Sequence, residues 1–151
     1  MNDCSETDYE TIGIWREQAP LTGALIIPVD AYGRVLLQLR DYKTERYPGQ
    51  WGFFGGKVEA GETLVDAAVR EFAEEAGVVI DPATLTPAFR MSSPEVGSHL
   101  YIFDADLDIR PEDIRLGEGA GFAFVEAKDF ERLDLAQITK TVLAAWRARR
   151  A

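Results

Sequence analysis

Glu71, Glu74 and Glu75 stand at i, i+3 and i+4, a spacing that on an α-helix brings three carboxylates onto one face within a turn. Like charges so placed repel one another, and a counterion relieves them. Carboxylate oxygens are hard ligands that suit magnesium or manganese rather than zinc. A solvated acidic face is the plain alternative, because glutamate is a good helix former. The surroundings weigh against it. Gly55 and Gly56 precede the cluster, Glu62 lies ahead of the helix, Arg70 abuts Glu71, and Gly77 closes the stretch GKVEAGETLVDAAVREFAEEAGV. Without Cβ atoms, the paired glycines can take positive φ and let the backbone approach a metal or phosphate closely.

The helix that carries these carboxylates is legible from its ends. Thr63 followed three residues later by Asp66 makes a capping pair, and Gly77 is a natural stop, so the pattern predicts a helix over residues 64–76. At about 100° per residue, Val65, Ala68, Val69, Phe72 and Ala76 fall on an apolar arc separate from the acidic face. Upstream, residues 21–29 and 34–39 are apolar runs joined by a turn at Tyr32-Gly33, which predicts a hairpin. Residues 41–50 read as a loop with Pro48-Gly49 as its turn signal, leading into a short strand at 51–54. Residues 85–91, 99–107 and 121–125 are expected as strands, and residues 135–149 as a closing helix. The basic RARR end of that helix complements its dipole rather than marking a nucleic-acid patch. Such an order of elements suggests an α/β fold with a mixed sheet between helices.

At 151 residues the chain fits a single domain spanning 1–151, with the polar stretch 1–8 expected as a flexible tail. A net charge of -10 repels polyanions, which argues against affinity for a nucleic-acid backbone. Small anionic substrates need only a local positive site. No apolar run approaches the roughly 20 residues that span a bilayer, and the acidic start lacks a secretory pattern, so a cytoplasmic location is expected. The single cysteine, Cys4, cannot form an internal disulfide and is expected as an ordinary free thiol.

The stretch from Gly56 to Val78 resembles the signature of the Nudix hydrolase family. Gly56, Glu62, Arg70, Glu71, Phe72, Glu74, Glu75, Gly77 and Val78 fill every fixed position. A chance match to the seven invariant positions in such a chain has odds below roughly one in a million, given residue frequencies near 6%. Two positions depart from the usual pattern. Phe72 is bulkier than the common aliphatic residue, and Phe54 stands where many members have proline before the paired glycines.

The resemblance implies the family's α/β/α sandwich with a mixed central sheet. It implies a metal site of Glu71, Glu74, Glu75 and the carbonyl oxygen of Gly55, holding Mg2+ with Mn2+ as a substitute. Arg70 and Glu62 are expected to form a supporting pair that orients the carboxylates. The reaction implied is attack of water on a phosphorus atom of a diphosphate linkage. Glu71 is the first choice of general base. Glu118, in LGEGAG, is the best later candidate, with an exposed loop glutamate as its plain alternative, and Glu95 is a weaker one.

The motif recognises only the diphosphate, so specificity must come from residues outside it. Arg40, Arg46 and Arg90 are candidates to reach phosphate, each equally well read as a surface or ion-paired arginine. Trp51, Phe54 and Tyr101 are candidates to stack on a base, although strand aromatics are core more often than not. His99 is expected to be structural, and Pro94 lies about where the family's ADP-ribose hydrolases carry a proline. The expected substrate is a small nucleotide, namely a nucleoside diphosphate derivative such as a nucleotide sugar or ADP-ribose. A nucleoside triphosphate is the alternative, and a non-catalytic nucleotide-binding module is the outside one. A homodimer is left open.

Overall fold

The computed structural model of the chain describes residues 5–95 and 97–150, so Cys4 lies outside the described residues. The elements are β1 (Glu10–Thr11), β2 (Thr22–Val29), β3 (Val35–Leu39), β4 (Trp51–Gly52), β5 (Phe54–Lys57), α1 (Leu64–Ala76), β6 (Leu85–Ser92), β7 (His99–Asp106), β8 (Gly121–Val125) and α2 (Gln137–Arg150). The strands form one mixed sheet in the order β1-β6-β7-β2-β3-β4, with β5 on β2 and β8 on β3. β2 runs parallel to β7 along its whole length, from Thr22 opposite His99 to Val29 opposite Asp106.

Alternation along the strands sends side chains to two faces. Ala24, Ile26, Leu36, Phe54 and Phe103 pack with Leu64, Val65, Ala68 and Phe72 of α1. Ile27, Val29, Leu37, Phe53 and Ile102 pack with Val142, Leu143 and Trp146 of α2. The sheet is therefore covered by a helix on each side, as expected for an α/β fold. The predicted hairpin turn is present. Asp30 fastens it by accepting from the backbone N–H of Tyr32 at 3.0 Å and of Arg34 at 2.8 Å.

Two expectations change. The strand read at 51–54 is two short strands, because Trp51 and Gly52 pair with β3 whereas the chain from Phe54 pairs with β2. The presumed tail is structured from Ser5 onward, where Ser5 caps a turn at Glu6–Asp8. Glu6 accepts from the Tyr101 hydroxyl at 3.4 Å and meets Arg90 at 3.5 Å. Its ties are polar, so hydrophobicity gave no sign of them. Among the described residues, no helix is long and apolar enough to cross a membrane.

Candidate active site

α1 begins and ends where its capping residues place it. Thr63 accepts from the N–H of Asp66 at 3.0 Å, Asp66 accepts in return from the N–H of Thr63 at 3.3 Å, and Gly77 closes the helix in the left-handed conformation at φ 72°. The packed face differs from the arc drawn from the sequence. Leu64 and Ala67 are buried, Val69 is half-buried, and Glu75 is 6% exposed. The reason is angular. At about 100° per residue, Glu75 lies only about 20° from Ala68 and about 60° from Phe72, inside the apolar arc.

Burial brings Glu75 under the glycine strand β5, where its carboxylate accepts from the N–H of Gly55 at 2.7 Å. Gly55 has φ 140°, and a Cβ there would collide with the carbonyl oxygen of Ala24. Gly56 is required for a different reason. A Cβ on it would stand 2.7 Å from the Glu71 carboxylate. The paired glycines thus let a β-strand lie directly against two helix carboxylates.

Arg70 and Glu62 form the pair expected of them. Nε of Arg70 donates to Glu62 at 2.7 Å and Nη2 donates to the other Glu62 oxygen at 2.9 Å, a bidentate geometry that fixes both planes. The same guanidinium donates to Glu71 at 3.0 Å, approaches Glu74 at 3.4 Å, and donates to the Lys57 carbonyl at 3.1 Å. Arg70 hydrogen bonding holds the Glu62 carboxyl below its ordinary range.

The loop from Arg115 to Ala120 carries Glu118 into the cluster. The N–H of Arg115 donates to the Ala76 carbonyl at 2.8 Å, and that of Gly117 to the Glu75 carbonyl at 2.9 Å, so the loop caps the end of α1. Burial pushes the Glu75 carboxyl up to about 8, opposed by the Gly55 N–H and reinforced by the charges of Glu71 and Glu118. Glu71 is raised in the same direction by burial, with Arg70 opposing and Glu74 and Glu118 adding.

Among the described residues, no three acidic, histidine or cysteine side chains already converge as a closed metal cage. The chemistry of the set still fits a divalent cation. Glu71, Glu75 and Glu118 present oxygen donors whose mutual repulsion a cation would relieve, and Glu74 is held only by the longer contact to Arg70, with its side chain 59% exposed.

Arg40 connects this acidic site to open space. It lines a small crevice with Gln38, Asp41, Thr44, Glu75, Glu118 and Gly119. It also lines a cavity of about 200 Å3 with Arg46, Tyr47, Phe53, Leu100 and Ile138. A second cavity of about 150 Å3 adjoins the first through Leu25, Arg46, Gly56 and Leu100 and continues to Lys57 and Ser98. Arg40 also braces its own loop, donating to the Arg46 carbonyl at 2.9 Å.

Arg90 is not among the residues lining these cavities. Its guanidinium lies 4.0 Å from the centre of the Trp15 ring, and its Nε donates to Thr11 at 2.7 Å. Glu95 neighbours Tyr47 rather than the carboxylate cluster. Phe54 and Tyr101 are core, Trp51 packs half-buried against the α2 side, and His99 stacks on Trp15. Pro94 offers its carbonyl to Arg16 at 3.5 Å. A groove of about 590 Å3 between Phe130, Leu135 and the outer side of α2 contains no part of the acidic site.

Sequence reasoning passed over Gln38, Tyr47 and Lys57. Gln38 had a usable signal, a lone carboxamide inside the apolar run RVLLQL. Tyr47 and Lys57 had none, because their role depends on which loop and strand edge face the cavities.

A NUDIX domain model matches residues 19–146. An oxidized purine nucleoside triphosphate hydrolase of Mus musculus is 43% identical over 77 residues, 48% of this chain and 47% of the mouse protein. The chain thus matches about half the length of that relative. The nucleoside triphosphatase NudI of Escherichia fergusonii is 35% identical over 109 residues, 65% of this chain and 77% of that protein. In fold, the chain is similar to the NUDIX domain of Shewanella oneidensis NrtR, solved with ADP ribose. The TM-score is 0.74 at 17% identity, covering 89% of this chain and 90% of that one. With a family model spanning most of its length and every fixed position of the motif filled, the chain belongs to the Nudix hydrolase family.

Proposed function

We propose that the protein hydrolyses the phosphoanhydride bond of a nucleoside diphosphate derivative such as a nucleotide sugar or ADP-ribose. The observation that carries this reading is the proximity of Glu71, Glu75 and Glu118 to one another, beside two adjoining cavities lined by Arg40, Arg46 and Lys57. The continuous space they form, with arginine and lysine on its walls, suits the phosphates of a diphosphate that carries an organic group on each side. Glu71, Glu74, Glu75 and the carbonyl of Gly55 would hold Mg2+, with Mn2+ as a substitute, and a divalent metal is a general requirement in the family. When bound, the cation neutralises phosphate charge and favours in-line displacement.

The chain's own residues do the rest. Arg40 and Arg46 bind phosphate oxygens, and Arg70 with Glu62 keeps the Glu71 carboxylate oriented. Water attacks phosphorus, the bridging P–O bond breaks, and a carboxylate takes the water's proton, giving two phosphorylated products. Glu71 is the first candidate for that carboxylate, and Glu118 is the second.

A nucleoside triphosphate is the second substrate reading, favoured by the activities for which the mouse and Escherichia fergusonii relatives are named. The test is a panel of nucleotide sugars, ADP-ribose, dinucleoside polyphosphates, nucleoside triphosphates and RNA ends with Mg2+ or Mn2+, with products followed by phosphorus NMR. Turnover of the two-sided diphosphates is expected. Glu74→Gln and Glu75→Gln should each lower kcat by roughly a hundredfold or more with the fold intact. Near-normal rates in both would remove the carboxylates from the mechanism. Metal binding without turnover of any compound would leave a binding module instead.

A further inference from the structure

We infer that Gln38 is a positioning residue that holds Glu118 against the acidic cluster, an inference that rests on the hydrolytic reading of that cluster. Gln38 is the penultimate residue of β3, bracketed by strand pairing to Gly52 on one side and Phe122 on the other, and is 3% exposed. A carboxamide buried in an apolar strand is unfavourable unless it is hydrogen-bonded. Its Nε2 donates to the backbone carbonyl of Glu118 at 2.9 Å.

The sequence around Glu118 is shaped to that contact on both sides. Gly117 lies so close to the last turn of α1 that a Cβ would collide with the Glu74 carbonyl oxygen. Gly119 has φ 95°, and a Cβ on it would stand 2.9 Å from Gln38 Nε2 and 3.0 Å from the Leu39 carbonyl. The next N–H, of Ala120, donates to that same carbonyl at 2.9 Å. Glycine at both ends of GEG therefore lets the loop close over both a helix end and a strand.

The restraint has a purpose in electrostatics. Glu118 hydrogen-bonds to the Glu75 carboxyl and lies in the repelling field of Glu71, and its residue is otherwise exposed. An unrestrained loop glutamate in that field turns outward to water. Anchoring its backbone through Gln38 keeps the carboxylate over the site. Gln38 also lines the crevice shared by Glu75, Glu118 and Arg40.

The test uses Gln38→Met, closest in shape, with Gly119→Ala as a second route to the same contact. The first measurement is amide hydrogen exchange of residues 117–120 in the metal-free protein. Loss of one such hydrogen bond should speed exchange about tenfold. The second is steady-state kinetics on a substrate the wild type turns over. Gln38→Met should lower kcat about tenfold with KM within about twofold, and should add nothing further in a Glu118→Gln background. Unchanged exchange in both variants overturns the inference whatever the activity. So does a kcat loss that adds fully to that of Glu118→Gln, because the two residues would then act independently. If the wild type hydrolyses nothing yet exchange responds as expected, the hydrolytic reading fails while Gln38 keeps its hold on the loop.

Discussion

Glu75 is where the packing of α1 and its chemistry meet. Its position inside the apolar arc forces burial, and burial beside Glu71 and Glu118 raises its pKa from the ordinary 4.5 to about 8. Between those values the unfolded chain has released a proton that the folded chain keeps, so stability falls as pH rises. The favourable share is complete below about 4.5 and is lost through about 8. Metal-free protein should therefore melt at lower temperature at pH 8 than at pH 5, and Glu75→Gln should flatten much of that slope. Excess Mg2+ at pH 8 should restore the melting temperature by binding the folded state alone. Thermal unfolding in chelator and in Mg2+ checks both, and an identical slope in Glu75→Gln would show that Glu75 does not carry it. The identities of Glu71, Glu74 and Glu75 were readable from spacing, but their differing depths were not. Spacing alone does not say which edge of the acidic face turns toward the sheet.

At the scale of elements, the two departures from the family pattern prove to be one feature. Phe54 on β5 and Phe72 on α1 meet edge to face, with ring centres 5.4 Å apart and planes at 80°, and both are fully buried. The larger residue on the helix fills the space beside the residue that replaces proline on the strand. A double-mutant cycle of Phe54→Leu and Phe72→Leu, read by urea unfolding, should give a coupling of about 1 kcal/mol. Additive losses would mean that the rings merely share a core. Thr63→Ala should separately destabilise the protein by about 1 kcal/mol through loss of the α1 cap. Both rings were visible in the sequence as isolated oddities. Their pairing was not, because it depends on β5 leaving β3 and joining β2, a choice of strand partner that side-chain period does not encode. The helix, by contrast, was legible to the residue, since its signals at Thr63, Asp66 and Gly77 are local.

At the scale of the molecule, charge that looked like surface decoration links distant parts of the chain. Arg149 pairs with Glu10 at 3.1 Å and covers the Phe89 ring at 4.3 Å, while Arg150 pairs with Asp104 at 3.2 Å. The basic end of α2 is thus ion-paired within the fold. The N-terminal segment is held similarly. Trp15 lies between the Arg90 guanidinium and the stacked His99 ring, 4.2 Å away, and Arg90 also reaches Glu6 and Thr11. Sequence period cannot find such ties, because each joins residues 46 or more positions apart. They bear on Arg90, a candidate for phosphate on type alone. Its guanidinium already has an aromatic face, a hydroxyl and a carboxylate, and the cavities beside Glu75 are lined without it. Arg90→Ala should therefore lower stability by about 1–2 kcal/mol, from the lost cation–π contact and hydrogen bond. KM for the nucleotide should stay within about twofold, whereas Arg40→Ala and Arg46→Ala should each raise it about tenfold. Urea unfolding and steady-state kinetics on the three variants separate these effects. A tenfold rise in KM for Arg90→Ala with stability unchanged would return Arg90 to the substrate and detach it from the N-terminal segment.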